Sequence, residues 1–240
     1  MRNISFSPPD ISDLEIEEVC EALRSGWITT GPRTKEFEKR IAEYVGVGKT
    51  EKGTPRCVCL CSQTACAEMA LHILGVGPGD EVITTAYTYT ATASVVCHIG
   101  AKLVLIDTQK DSLEMDYDAV ERAINEHTKA IIPVDIGGVP CDYDRLYEIV
   151  SRRKAYFRPT SPIQESLGRI AILDDAAHAF GAEWHGKMCG SLTDFSSFSL
   201  VGGLKWIGRC AAFAGRFIGD YWSYCTKTTV SRTGSALQTA

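Results

Sequence analysis

Short apolar runs at 56–61, 81–85, 102–107, 130–135 and 169–173 alternate along this chain with stretches of helical period at 65–74, 89–99, 116–126 and 142–153. No other feature constrains the fold as strongly. Parallel strands need a crossover connection between them, so strand-helix alternation predicts an α/β fold: a mostly parallel sheet flanked by helices. Ligands in such sheets bind beyond the carboxyl ends of the strands. The residues that follow each run are therefore the candidates for chemistry: Ser62-Gln63-Thr64, Tyr87-Thr88-Tyr89, Asp135-Ile136-Gly137 and Asp174-Asp175.

Two further helices precede the alternation. In 12–23, Leu14, Ile16, Val19, Cys20 and Leu23 fall at helical spacing behind Asp10 and Ser12, both suitable N-caps; in 34–44, Phe37, Ile41 and Tyr44 share one face. The loop between them carries Trp27, equally suited to line a pocket or to anchor the loop. Pro159 and Pro162 break the helical spacing of 158–168, which reads as a surface insertion, and His185 reads as an exposed residue after a strand turn. From residue 201 onward the period is lost, so 1–200 is expected to form one large domain and 201–240 a tail to which no element is assigned.

The 240 residues suffice for one large α/β domain, and 45% hydrophobic with 23% charged residues is ordinary for a folded chain. A net charge of -5, with lysines and arginines scattered, gives no footprint for nucleic acid or anionic lipid. Small-molecule or protein partners are expected instead. No apolar run approaches the ~18 residues that span a bilayer, and no apolar leader is present, so the expected location is the cytoplasm, with the ten cysteines as buried thiols. Cys57, Cys59 and Cys61 alternate on one strand face and could in principle bind metal. Without a CxxC or a Cys/His pair to complete a tetrahedral set they read as small apolar fillers, and no metal site is expected.

Three strand ends suggest chemistry together. Ser62-Gln63-Thr64-Ala65 opens a helix after a buried strand, where free backbone N–H groups and the helix dipole can hold a phosphate. Tyr87-Thr88-Tyr89 offers an aromatic ring to a flat cofactor. Asp174-Asp175 and His178 place acid and imidazole at a third strand end, and a carboxylate there can keep a heteroaromatic nitrogen protonated. Each motif alone has an ordinary structural explanation as a cap, a core aromatic or a surface histidine. Together they suggest pyridoxal phosphate (PLP).

On these residues the chain resembles the DegT/DnrJ/EryC1/StrS sugar aminotransferases, PLP enzymes of the aspartate aminotransferase fold type. The motifs stand in the family's order: 21–46 (EALRSGWITTGPRTKEFEKRIAEYVG), 62–71 (SQTACAEMAL), 79–107, 128–142 (TKAIIPVDIGGVPCD) and 174–199 (DDAAHAFGAEWHGKMCGSLTDFSSFS). The resemblance implies that Thr64, Ala65 and Ser199 contact the cofactor phosphate, that Tyr89 stacks on the ring, that Asp175 pairs with the ring nitrogen and that His178 sits near the ring hydroxyl. It further implies amino transfer, usually from glutamate, to a keto-sugar nucleotide by a homodimer.

After Ser199 the chain departs from the pattern. Where the family continues Phe-His-Ala-x-Lys-Asn, this chain reads Leu200, Val201, Gly202, Gly203, Leu204, Lys205. A gap-free alignment puts Leu204 at the position of the lysine that carries the cofactor, and Lys205, the candidate catalytic amine, stands one residue out of register. The family's C-terminal small domain has no counterpart, and an abrupt loss of resemblance at one point is what a reading-frame shift produces. These features raise the expectation of a non-catalytic fragment or pseudoenzyme that keeps the large-domain fold. A dehydratase-like relative with histidine in place of the lysine is excluded by the absence of histidine from 201–204.

Overall fold

The computed structural model describes residues 11–51, 53–54, 56–200 and the strand 211–215. Helix α1 (Asp13–Arg24) starts from Ser12 in a reciprocal capping box with Glu15, and α2 (Pro32–Tyr44) follows, with proline in its first turn. The other expected cap, Asp10, lies outside the described residues. Then come β1 (Cys57–Leu60), α3 (Gln63–Leu74), β2 (Glu81–Thr85), α4 (Thr90–His98), β3 (Lys102–Ile106), α5 (Tyr117–Ala123), β4 (Thr128–Ile132), α6 (Tyr143–Arg152), α7 (Pro162–Leu167), β5 (Ala171–Asp175), the short β6 (Glu183–Trp184) and β7 (Lys187–Met188), β8 (Phe195–Ser199) and β9 (Ala211–Gly215).

Seven strands form one sheet in the order β1-β9-β8-β5-β4-β2-β3. The pairs β2–β3, β2–β4, β4–β5 and β5–β8 are parallel, whereas β9 runs antiparallel to both β8 and β1. The alternation of apolar runs and helical stretches thus gives the mostly parallel sheet it predicts. Strand β9 comes from the stretch to which the sequence assigned no element, and it fills the position between β1 and β8. His185 and Gly186, both at positive φ, turn the β6–β7 hairpin, and His185 is exposed there.

Period-2 alternation divides the sheet's side chains between two cores. Val82, Ala130, Ile132, Ala171, Leu173 and Phe195 pack with α3 and α4; Ile83, Ile131, Ile170 and Ile172 pack with α5 and α6. Cys57 is buried in a third cluster with Ile41, Ala42 and Phe198, while Cys59 is half-buried and Cys61 exposed, so the three thiols have graded environments along β1.

The segment 158–168 is more than a surface insertion. Ser161 caps α7, its hydroxyl donates to Leu74 O at 2.6 Å, and the buried Gln164 side chain donates to the same carbonyl at 2.9 Å. These bonds satisfy a carbonyl at the end of α3 that the helix leaves open. Gly75 closes α3 at φ +72, and a Cβ there would lie 2.8 Å from Ser161 Cβ. Gly75→Ala is therefore expected to cost about 2 kcal/mol, from left-handed strain and loss of this docking. A thermal-unfolding midpoint equal to the wild type's would show that α7 gives way freely.

Candidate active site

Alternation along β5 sends its last two side chains to opposite faces. Asp175 points to the α3/α4 face, where Thr92 Oγ1 donates to its Oδ2 at 2.6 Å and Ala177 N–H donates to Oδ1 at 3.2 Å. Thr92 lies one turn into α4, and its hydroxyl shares a 2.9 Å hydrogen bond with Thr88 Oγ1. Asp175 is 5% exposed. Burial raises its pKa above the usual aspartate value, opposed by the Thr92 and Ala177 donors and the Gln63 amide.

The other predicted residues gather at the same edge of the sheet. Tyr89 is the N-cap of α4 and is 80% exposed. Helix α3 starts from Ser62, whose hydroxyl accepts from Ala65 N–H at 3.1 Å. The amide of Ala65 is thus engaged by its cap, while those of Gln63 and Thr64 belong to the first turn, where a helix supplies no acceptor. In β8, Ser197 and Ser199 share the α3 face by alternation, and Gln63 Nε2 donates to Ser197 Oγ at 2.9 Å. Ser199, the last residue of β8, stands opposite Ala211 of β9.

His178 follows β5 on an exposed loop, and Gly137 N–H donates to its Nδ1 at 3.3 Å. That bond makes Nδ1 the acceptor and leaves Nε2 to carry the proton in the neutral ring. The Gly137–His178 contact joins the loop after β4 to the loop after β5. The loops meet closely: a Cβ on Gly138, which sits at φ +81, would lie 3.0 Å from His178 O.

Thr92 is absent from the expected site residues, while Gln63 and Gly137, expected only as members of strand-end segments, gain specific partners in Ser197 and His178. Thr92 had a signal, since it lies three residues from Tyr89 and four from Thr88, on one side of a helix start. Lys205 lies outside the described residues. Trp27 is 57% exposed, its indole donating to Thr30 O at 3.1 Å, so it ties its own loop.

Comparison with known proteins identifies the family and the fold. The chain is 38% identical over 198 residues to the uncharacterized protein MJ1066 of Methanocaldococcus jannaschii, an alignment spanning 81% of this chain and 46% of that protein. It is 35% identical over 196 residues to the spore coat polysaccharide biosynthesis protein SpsC of Bacillus subtilis, covering 82% and 45%. Among solved structures it superposes with TM-score 0.83 on the PLP-form of the putative sugar aminotransferase Spr1654 from Streptococcus pneumoniae, at 48% identity over 90% of this chain and 53% of that one. That protein is also solved in a PMP-form, and the family is PLP-dependent. The chain spans about half the length of the relatives it matches. With residues 9–205 matched, it belongs to the DegT/DnrJ/EryC1/StrS aminotransferase family.

Proposed function

We propose that this chain carries the cofactor-binding half of a PLP-dependent sugar aminotransferase. The observation that carries the reading is Asp175: a buried carboxylate, gripped by Thr92, at a strand's carboxyl end between the exposed Tyr89 and His178. The donor set fits PLP, since an anionic phosphate suits the first turn of α3 with Thr64, Ala65 and Ser199, and a protonated ring nitrogen suits Asp175.

Bound PLP supplies an electron sink for bond breaking at the substrate carbon. The protein's part is to orient and to manage protons. Asp175 holds the proton on the ring nitrogen, and Thr92 holds Asp175. Tyr89 would cover the ring, His178 would lie near the ring hydroxyl, and the amine of Lys205 would serve as the base. The parent reaction on this reading moves an amino group from glutamate to a keto-sugar nucleotide, for glycan or secondary-metabolite synthesis, in a cytoplasmic homodimer. Among the described residues no helix is long and apolar enough to cross a membrane.

A second reading, a non-catalytic relative that keeps the fold and the cofactor pocket, is favoured by Leu204 at the gap-free position of the family lysine. The first is favoured by the family match, which extends to residue 205. PLP titration followed by borohydride reduction and peptide mapping separates them. Saturable binding of one PLP per chain is expected on either reading, and its absence sinks both. A pyridoxyl group on Lys205 selects the aminotransferase; release of all the cofactor on dialysis after reduction selects the non-catalytic relative.

A further inference from the structure

Directly beneath the Asp175 face lies a second acidic cluster that the chemistry above does not use. Asp174 is 1% exposed and Asp135, just beyond β4, is 0% exposed. The Asp135 carboxyl, by its charge and by hydrogen bonding, helps burial to push Asp174 up. Among the described residues each has one buried oxygen without a partner, Asp174 Oδ1 and Asp135 Oδ2. The groups facing the pair are Tyr143 of α6, Cys141 ahead of that helix, Cys189 beyond β7, Ser196 of β8 and Asp175 in β5, none of which brings positive charge. Two bare carboxylates in contact here would repel across a poorly screened interior, and two orphaned acceptors would each forfeit a hydrogen bond. One shared proton removes both costs.

We propose that Asp174 and Asp135 hold a single proton between their otherwise unpartnered oxygens, and that this bond is a positioning device which fixes the β4 loop presenting Gly137 to His178. The hydrogen bonds decide which residue is the acid. Asp135 Oδ1 accepts from Cys141 N–H and from the Tyr143 hydroxyl, both at 2.8 Å, donors that stabilise a charged oxygen. Asp174 has a 3.4 Å contact from Ser196 Oγ and faces the Tyr143 hydroxyl, whose one proton already goes to Asp135. Asp174 is therefore the protonated member, donating from Oδ1 to Asp135 Oδ2. Burial raises both groups above the ordinary aspartate range, Asp174 the further of the two.

The linkage runs from strand to site. Asp135 N–H donates to Asp175 O at 3.1 Å, and Asp175 N–H donates to Pro133 O at 2.9 Å. The carboxyl pair adds a side-chain tie on the opposite face of the same junction. Beyond it the turn 136–138 carries the Gly137 N–H that sets the His178 ring. The proton-sharing itself is independent of cofactor; its consequence for catalysis rests on the PLP reading.

A folded-state pKa raised above the unfolded one means that the native chain binds the extra proton. The pair's contribution is thus fully present below the unfolded aspartate pKa and is lost as pH rises through the raised one. The infrared spectrum of the cofactor-free 240-residue chain in heavy water near neutral pH is expected to show the C=O stretch of a protonated carboxylic acid. Asp174→Asn, whose amide can donate in place of the acid, is expected to remove that band, to keep the nitrogen NMR signal of His178 Nδ1 in place and to flatten the fall of the thermal midpoint at rising pH. Asp174→Ala should shift the His178 signal. Asp175→Asn removes the neighbouring buried carboxyl whose pKa is also raised, so the band is read in that protein too. No acid band there near neutral pH, or a band that survives when Asp174→Asn is added to it, overturns the proposal. If the Asp174 variants fail to fold, the band of the Asp175→Asn protein still decides, since it must be present near neutral pH and vanish on raising the pH. Because these readouts need no cofactor, a failure to bind PLP leaves this result legible on its own.

Discussion

Asp175→Asn is expected to weaken PLP binding by about 10- to 100-fold while raising the stability of the cofactor-free chain at neutral pH. The first effect follows from the charge-assisted hydrogen bond between the carboxylate and a protonated ring nitrogen, worth roughly 1.5–3 kcal/mol against a neutral amide. The second follows from burial. Asp175 is 5% exposed, and the low-dielectric site pushes its pKa up, so keeping it charged at neutral pH costs the empty fold free energy. With the folded pKa above the unfolded one, Asp175 favours the fold at low pH and opposes it as pH rises. The amide does not titrate. Thr92 can still serve the amide introduced at this position, since its hydroxyl can accept from the new N–H while donating to Thr88. Fluorescence titration with PLP reads the first effect, and thermal midpoints across a pH series read the second. Equal affinity in the two proteins would falsify the assignment of Asp175 to the ring nitrogen. An unchanged pH dependence would mean that the Thr92 and Ala177 donors already offset burial.

Such a trade-off is expected where a fold holds a charge for a ligand, and its location was legible in the sequence for a physical reason. Strands β2, β4 and β5 are buried at every position, and the apolar stretches they contain, Val82-Ile83, Ala130–Ile132 and Ala171–Leu173, mark parallel pairing under two helical layers. Where they stop, the candidate site starts: Asp175 ends β5, and Tyr89 follows β2 as the cap of α4. Elements of other composition escaped. Strand β8 reads Phe-Ser-Ser-Phe-Ser, and its Ser196 and Ser197 are buried by hydrogen bonds to β5, which no hydropathy pattern reports. Helix α7 is hidden by Pro162, which interrupts the helical spacing of the sequence yet, as a first-turn residue, helps the helix to start. Thr92 gains its meaning only from Asp175, 83 residues away along the chain, a separation over which local periodicity carries no information.

At the far end of the same strands, Asp194→Ala is expected to cost about 2–4 kcal/mol, less than stripping one partner from a fully buried ion pair because the Arg169 side chain is 25% exposed. Arg169 Nη1 and Nη2 donate to the two Asp194 oxygens at 2.7 Å each, and Ile172 N–H donates to Oδ2 at 2.9 Å. Asp194 N–H returns a bond to Ile172 O at 3.1 Å, so the side chain and backbone together start the β5–β8 pairing. Removal leaves the guanidinium, 5.0 Å above the Tyr147 ring, without its anion and strands the Ile172 amide. Burial, then the charge of Asp194, pushes the Tyr147 phenol up to about 12, so it stays neutral and donates to Leu192 O at 3.0 Å in either protein. Urea unfolding measures the loss, and a cost below about 1 kcal/mol would place the pair among ordinary surface bridges. Arg169→Met combined with Asp194→Leu is expected to be more stable than either single change, because no uncompensated charge is left behind. Strands β5 and β8 carry Asp175 and Ser199 at their other ends. The single variant should therefore also bind PLP more weakly, and the double variant should recover binding along with stability; recovery of stability alone would show that this junction holds the fold without setting the site.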